Sequence, residues 1–116
     1  MKIRIKGNSL RYRLSKTDVA NFATDGYLEE TTNFGQQTLI YALELTDKTK
    51  LSATFCENKI TLFMPWVMAN EWVNTDQVGY ESTNEDFYLL VEKDFQCLDN
   101  VVEDQSDFYA NPLSLC

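Results

Sequence analysis

Arg4, Arg11 and Arg13 are the side chains of this sequence best suited to recognising a ligand. A guanidinium grips two oxygens of a phosphate or carboxylate at once, so several on one surface suit anion binding. Lys2, Lys6 and Lys16 stand among them, giving a head of six basic side chains with no acidic one. The rest of the chain holds four lysines against 18 acids, and the net charge is -8. Three roles fit such a head, the plainest being solvated surface charge. Its cations can pair with acids such as Glu29, Glu44 and Glu92 on other predicted strands, each cross-strand pair stabilising by roughly 0.2–1 kcal/mol. Alternatively, Arg4, Arg11 and Arg13 can line a curved-sheet cup for a small, phosphate-type polyanion. Nucleic acid is not an expected partner, because its affinity rests on a cationic surface releasing counterions and this chain is acidic overall.

Other chemistries are poorly supplied. The chain has no histidine, which removes the commonest general base and every Ser-His or Cys-His arrangement. Cys56, Cys97 and Cys116 lack the close spacing of a structural zinc site, and "DNVVEDQSD" lacks the central glycine of a calcium loop. No metal or cofactor is expected, and a binding module is expected before an enzyme. A carboxylate- and metal-dependent enzyme stands as the third reading. An odd number of scattered cysteines is expected to remain as free thiols. No apolar run approaches the ~20 residues of a membrane span, and no apolar segment follows the basic head as in a signal peptide. A cytoplasmic location without membrane contact is the expectation.

These side chains need elements to hold them. K-I-R-I-K and L-R-Y-R-L alternate with a period of two, which predicts strands at residues 2–6 and 10–14 around the turn Gly7-Asn8-Ser9. On such strands Lys2, Arg4 and Lys6 share one face, and Arg11 and Arg13 lie opposite Leu10, Tyr12 and Leu14. Ser15 and Asp18 form a predicted capping box for a helix over residues 16–25, with Gly26 as its left-handed stop. Strand-like runs follow at 27–32, 38–45, 51–56 and 59–64, the last two joined by a tight turn at Glu57-Asn58. Pro65 opens a second short helix, and strands at 78–82 and 87–92 complete the pattern.

At 116 residues the chain is expected to form a single domain, 1–116, with residues 96–116 as a docked C-terminal arm. The predicted class is α+β: a mostly antiparallel curved or small barrel-like sheet of six to eight strands, two short helices and the extended arm. No internal repeat is legible. Trp66 at a helix start, Met68, and Phe108 and Tyr109 in the arm are candidates for an interaction surface, since tryptophan is enriched where binding energy concentrates. A non-enzymatic protein-interaction module, possible also as a self-associating one, is the leading reading, and the polyanion cup the alternative.

The opening M-K-I-R-I-K-G-N-S-L-R-Y-R-L and the closing V-E-K-D-F-Q-C-L with E-D-Q-S-D-F-Y-A-N-P resemble a family of uncharacterised bacterial proteins of this size. The resemblance runs along the whole chain. It implies no activity and no catalytic residues. The chain departs from the pattern after Pro65, where Trp66-Val67-Met68 replaces polar helix-opening residues and predicts an exposed apolar patch.

Overall fold

The computed structural model describes residues 1–95, 107 and 109. The chain runs β1 (Lys2–Lys6), β2 (Ser9–Leu14), α1 (Lys16–Asp25), β3 (Tyr27–Asn33), β4 (Thr38–Thr46), β5 (Ser52–Cys56), β6 (Lys59–Pro65), α2 (Trp66–Asn74), β7 (Gly79–Asn84) and β8 (Phe87–Lys93). The α+β class holds. The single curved or barrel-like sheet does not: the described strands form two open four-stranded sheets, ordered β1-β2-β8-β7 and β3-β4-β6-β5. Both are mixed, because the central pairs β2–β8 and β4–β6 run parallel while the outer pairs are antiparallel. Local alternation identifies a strand and its buried face. It does not say which distant strand lies alongside.

Local chemistry sets the element ends. The Asp18 amide donates to Ser15 Oγ at 3.2 Å, and the Ser15 amide donates to the Asp18 carboxylate at 3.1 Å. This reciprocal cap satisfies two amides that the first turn of α1 leaves over. Gly26 (φ 70°) ends the helix in the left-handed region, as a residue without Cβ does cheaply. Glu57 and Asn58 both take positive φ, 51° and 63°, which matches the right-handed twist of the β5–β6 hairpin.

The topology holds a repeat that the side chains conceal. Each half reads strand, strand, helix, strand, strand, and β1 to α1 recur fifty residues on, Lys2 corresponding to Ser52 and Lys16 to Trp66. Hairpins are exchanged between the halves. β1-β2 pairs with the second half's β8-β7, and β5-β6 pairs with the first half's β4-β3. Equivalent positions bury equivalent bulk: Tyr12 and Leu62, Leu14 and Met64, Val19 and Ala69, Phe22 and Trp72. Between residues 2–25 and 52–75 only Asn8 and Asn58 are identical.

The core draws on β2, β8, β4, β6 and both helices, with Tyr12, Phe22 and Trp72 its largest fully buried side chains. Two of these carry polar atoms and both find partners. Tyr12 Oη donates to the Ile60 carbonyl at 3.3 Å, and Trp72 Nε1 donates to the Val78 carbonyl at 2.9 Å. Burial raises the Tyr12 phenol far above its ordinary value of 10.0. The Met1 amine sits 2.7 Å from Asp18 and 2.9 Å from Glu30. Burial pulls that amine down, but the hydrogen bonds to Asp18 and Glu30 outweigh it and leave the pKa above 8.0.

Of the expected arm, only Asp107 and Tyr109 are described; Phe108, Cys97 and Cys116 lie outside the described residues. Asp107 accepts from the Thr17 amide at 3.1 Å and the Thr17 hydroxyl at 3.0 Å, adding a carboxylate to the first turn of α1. The Tyr109 ring packs edge-on to Phe95 and lies 5.2 Å from Lys93 Nζ. Lys93 is buried, donates to the Thr75 carbonyl at 2.9 Å, and has its pKa lowered by that burial. No helix among the described residues is long and apolar enough to cross a membrane.

Candidate anion-binding face

Because Leu10, Tyr12 and Leu14 of β2 and Leu89 and Val91 of β8 point into the core, their sequence neighbours must point away from it. The register then arranges the outer face of the first sheet in three rows. Lys2 pairs with Arg13, which lies beside Glu92. Arg4 pairs with Arg11, which lies beside Leu90. Lys6 pairs with Ser9, which lies beside Tyr88. Five cations thus occupy β1 and β2, and the strand carboxylates described on this face, Glu92 and Glu81, stand on β8 and β7, with Asp94 just beyond β8 reaching Lys2.

Part of the charge is spent internally. Arg13 Nε meets Glu92 Oε1 at 2.8 Å, and Arg11 Nε meets the same oxygen at 3.8 Å. Lys2 Nζ lies 3.1 Å from the buried Asp94. Glu81 is already held, since Tyr88 Oη donates to it at 2.6 Å. That hydrogen bond, before burial, raises the Tyr88 phenol above its ordinary value. Arg4 and Lys6 make no ion pair or side-chain hydrogen bond among the described residues. Arg4 also faces Arg11 directly across the β1–β2 ladder. Like charges in that position destabilise a sheet.

Two shallow hollows open on this face. One, of about 170 Å³, is lined by Arg4, Lys6, Ser9, Arg11 and Tyr88. The other, of about 160 Å³, is lined by Lys2, Ile3, Arg4, Arg11 and Arg13. Among the described residues no carboxylate lines either one.

The three arginines singled out by sequence therefore share one face, and Arg4 and Arg11 share both hollows. Of the acids expected opposite them only Glu92 is there; Glu29 and Glu44 belong to the second sheet. Ser9, Tyr88 and Glu81 join this face although the sequence does not assign them to an anion site. The alternation in β8 carried the signal for Tyr88, because burying Leu89 and Val91 turns Tyr88 outward beside Glu92.

The residues expected to form an interaction surface lie in different settings. Trp66 is 56% exposed and lines a groove of about 410 Å³ with Phe22, Leu45, Ala69 and Val73, beside the 62% exposed Val67. Met68 is partly buried and lines a separate hollow with Lys48, Lys50 and Glu81. Tyr109 packs at the foot of α1, with Lys16 Nζ 5.8 Å from its ring. Among the described residues no three metal-ligating side chains gather, and Cys56 is exposed as a free thiol.

A family model described as "Family of unknown function (DUF7009)" matches residues 1–113. The chain belongs to that family. No curated protein and no solved structure matches it. The match spans both termini of the first sheet's cationic hairpin and both halves of the fold, so the basic head is part of the family's domain and not an appendage to it.

Proposed function

We propose that the protein is a binding module whose outer face on the first sheet holds a small oxyanion of the phosphate type. The observation that carries this reading is the Arg4–Arg11 pair. The two arginines are direct cross-strand partners, and among the described residues the one carboxylate paired with either, Glu92, is already shared with Arg13. Such an arrangement costs stability until an anion enters between the charges. Among the described residues, internal pairing accounts for Lys2, Arg11 and Arg13 but not for Arg4 or Lys6.

Melting at constant ionic strength in phosphate, sulfate or chloride tests the reading. Phosphate should raise the midpoint of the parental protein, since a ligand that binds only the native state stabilises by about 2.7 kcal/mol at 100-fold its dissociation constant. Arg4→Gln/Arg11→Gln should abolish that rise. Equal midpoints in all three salts would sink the proposal.

A second reading, favoured by Trp66 and Val67, is self-association through the groove between α1 and α2. Sedimentation equilibrium across a 100-fold concentration range (about 1 to 100 times a micromolar dissociation constant) should then show a dimer that Trp66→Lys dissolves. A monomer at every concentration would exclude it.

A further inference from the structure

We infer that the ligand of the cationic face carries two separate oxyanion groups, one on each side of the Arg4–Arg11 pair. This rests on the anion-binding reading above and goes on to specify what kind of anion fits.

The two hollows are not independent. Arg4 and Arg11 belong to both, while Lys6 and Ser9 complete one and Lys2 and Arg13 complete the other. The shared pair forms a ridge of charge between two cups, and each guanidinium has two edges with which to grip oxygens on either side. Rows on one face of a strand repeat every second residue, or about 6.7 Å. Cups lying between successive rows are therefore separated by about the same distance, ~7 Å. Two phosphorus atoms joined through one bridging oxygen sit closer together than that. Pyrophosphate can fill one cup and crowd the ridge, but it cannot reach both. A compound with several bonds between its two phosphate groups can.

The cups are also unequal. In the first, Arg4 and Lys6 make no ion pair among the described residues. In the second, Arg13 is engaged by Glu92 at 2.8 Å and Lys2 by Asp94 at 3.1 Å. The first cup is thus the stronger, and the second adds discrimination by length. Glu92 and Glu81 bound the face on the β8–β7 side, where Tyr88 keeps Glu81 in place. Those acids, in a chain of net charge -8, repel a polyanion that extends beyond the two cups. The ligand class is an organic bisphosphate of low mass.

Calorimetric titration of the full chain with propylphosphonate, methylenebisphosphonate, propylenebisphosphonate and butylenebisphosphonate tests this. The propylene or butylene compound should bind on the order of 100-fold tighter than propylphosphonate, because the second group acts at high effective concentration. Methylenebisphosphonate should gain little. Lys6→Gln and Arg13→Gln should each bring the long bisphosphonates down toward propylphosphonate, and Arg4→Gln should weaken every compound. Circular dichroism of the variants separates lost binding from lost folding. If all four compounds bind alike, the two-group inference fails while the anion-binding reading stands. Absence of binding by any of them overturns both. Tighter binding of hexathymidylate than of any bisphosphonate would overturn the small-ligand assignment in favour of a nucleic-acid strand.

Discussion

The outer faces of the two sheets occupy equivalent places in the two exchanged halves, yet only one is cationic. The registers put Glu92 of the first sheet where the second has Glu44, and Glu81 where the second has Glu29. A phenol holds an acid on each face, though from non-equivalent positions, since Tyr88 donates to Glu81 and Tyr27 donates to Glu29 at 2.7 Å. The cations do not recur. Lys2, Arg4 and Lys6 correspond to Ser52, Thr54 and Cys56, and Arg11 and Arg13 correspond to Thr61 and Phe63. The second sheet keeps its acids beside Lys59 alone on that face and is built nonetheless. A hairpin in this position does not require five positive charges. Their presence on one side only is the asymmetry that the proposed anion site accounts for.

Core substitutions should show how far the halves are equivalent. Phe22→Ala and Trp72→Ala remove the matched aromatic anchors of α1 and α2, and each should cost about 3–5 kcal/mol in chemical denaturation. Because each sheet contains strands of both halves, the two losses should appear in one cooperative transition. Separate transitions for the two variants would break the comparison, since independently folding halves would give them.

Gly79 should matter more than its counterpart. A Cβ there would collide with the Val91 carbonyl oxygen and lie 2.9 Å from Glu92 Cβ. The equivalent position carries the whole side chain of Tyr27. Gly79→Ala should cost about 2 kcal/mol or more, a size typical of overpacking. It should also disturb the Glu92–Arg13 pair, which thermal melts of Gly79→Ala with and without Arg13→Gln would show as non-additivity.

The helix starts sharpen the contrast further. α1 has the Ser15–Asp18 box, whereas α2 follows Pro65 with no side-chain cap. Ser15→Ala should cost about 1 kcal/mol. Asp18 also holds the Met1 amine, whose pKa is raised on folding. That contribution is fully present below pH 8 and is lost as pH rises through the folded value. The melting temperature should fall as pH passes upward through this range, and Asp18→Asn should flatten the fall. An unchanged slope in Asp18→Asn would remove the amine from the account.

What was legible in the sequence was local. Ser15, Asp18 and Gly26 announce α1 because a cap is chemistry between residues three or four apart. Asn58 announces a hairpin for the same reason, and alternation places Arg4, Arg11 and Arg13 on outward positions. What stayed hidden was long-range. Arg13 and Glu92 are 79 residues apart, and nothing local to either names the other. The same limit led to one curved sheet where there are two mixed ones. The repeat was hidden because Tyr12 and Leu62, or Phe22 and Trp72, share bulk and burial without sharing identity. Packing needs only the former.

The smallest expected effect is the most informative. Replacing Arg4 by the residue at its counterpart position, Arg4→Thr, should leave the midpoint unchanged or raise it slightly in a low-phosphate buffer. Relief of the like-charge pair with Arg11 is worth roughly 0.2–1 kcal/mol. The same variant should lose the rise in melting temperature that phosphate gives the parental protein. That pair of results means the cations of the first sheet serve a ligand. A marked drop in the midpoint without phosphate, together with a parental protein indifferent to phosphate, would contradict the account and return Arg4 to the fold.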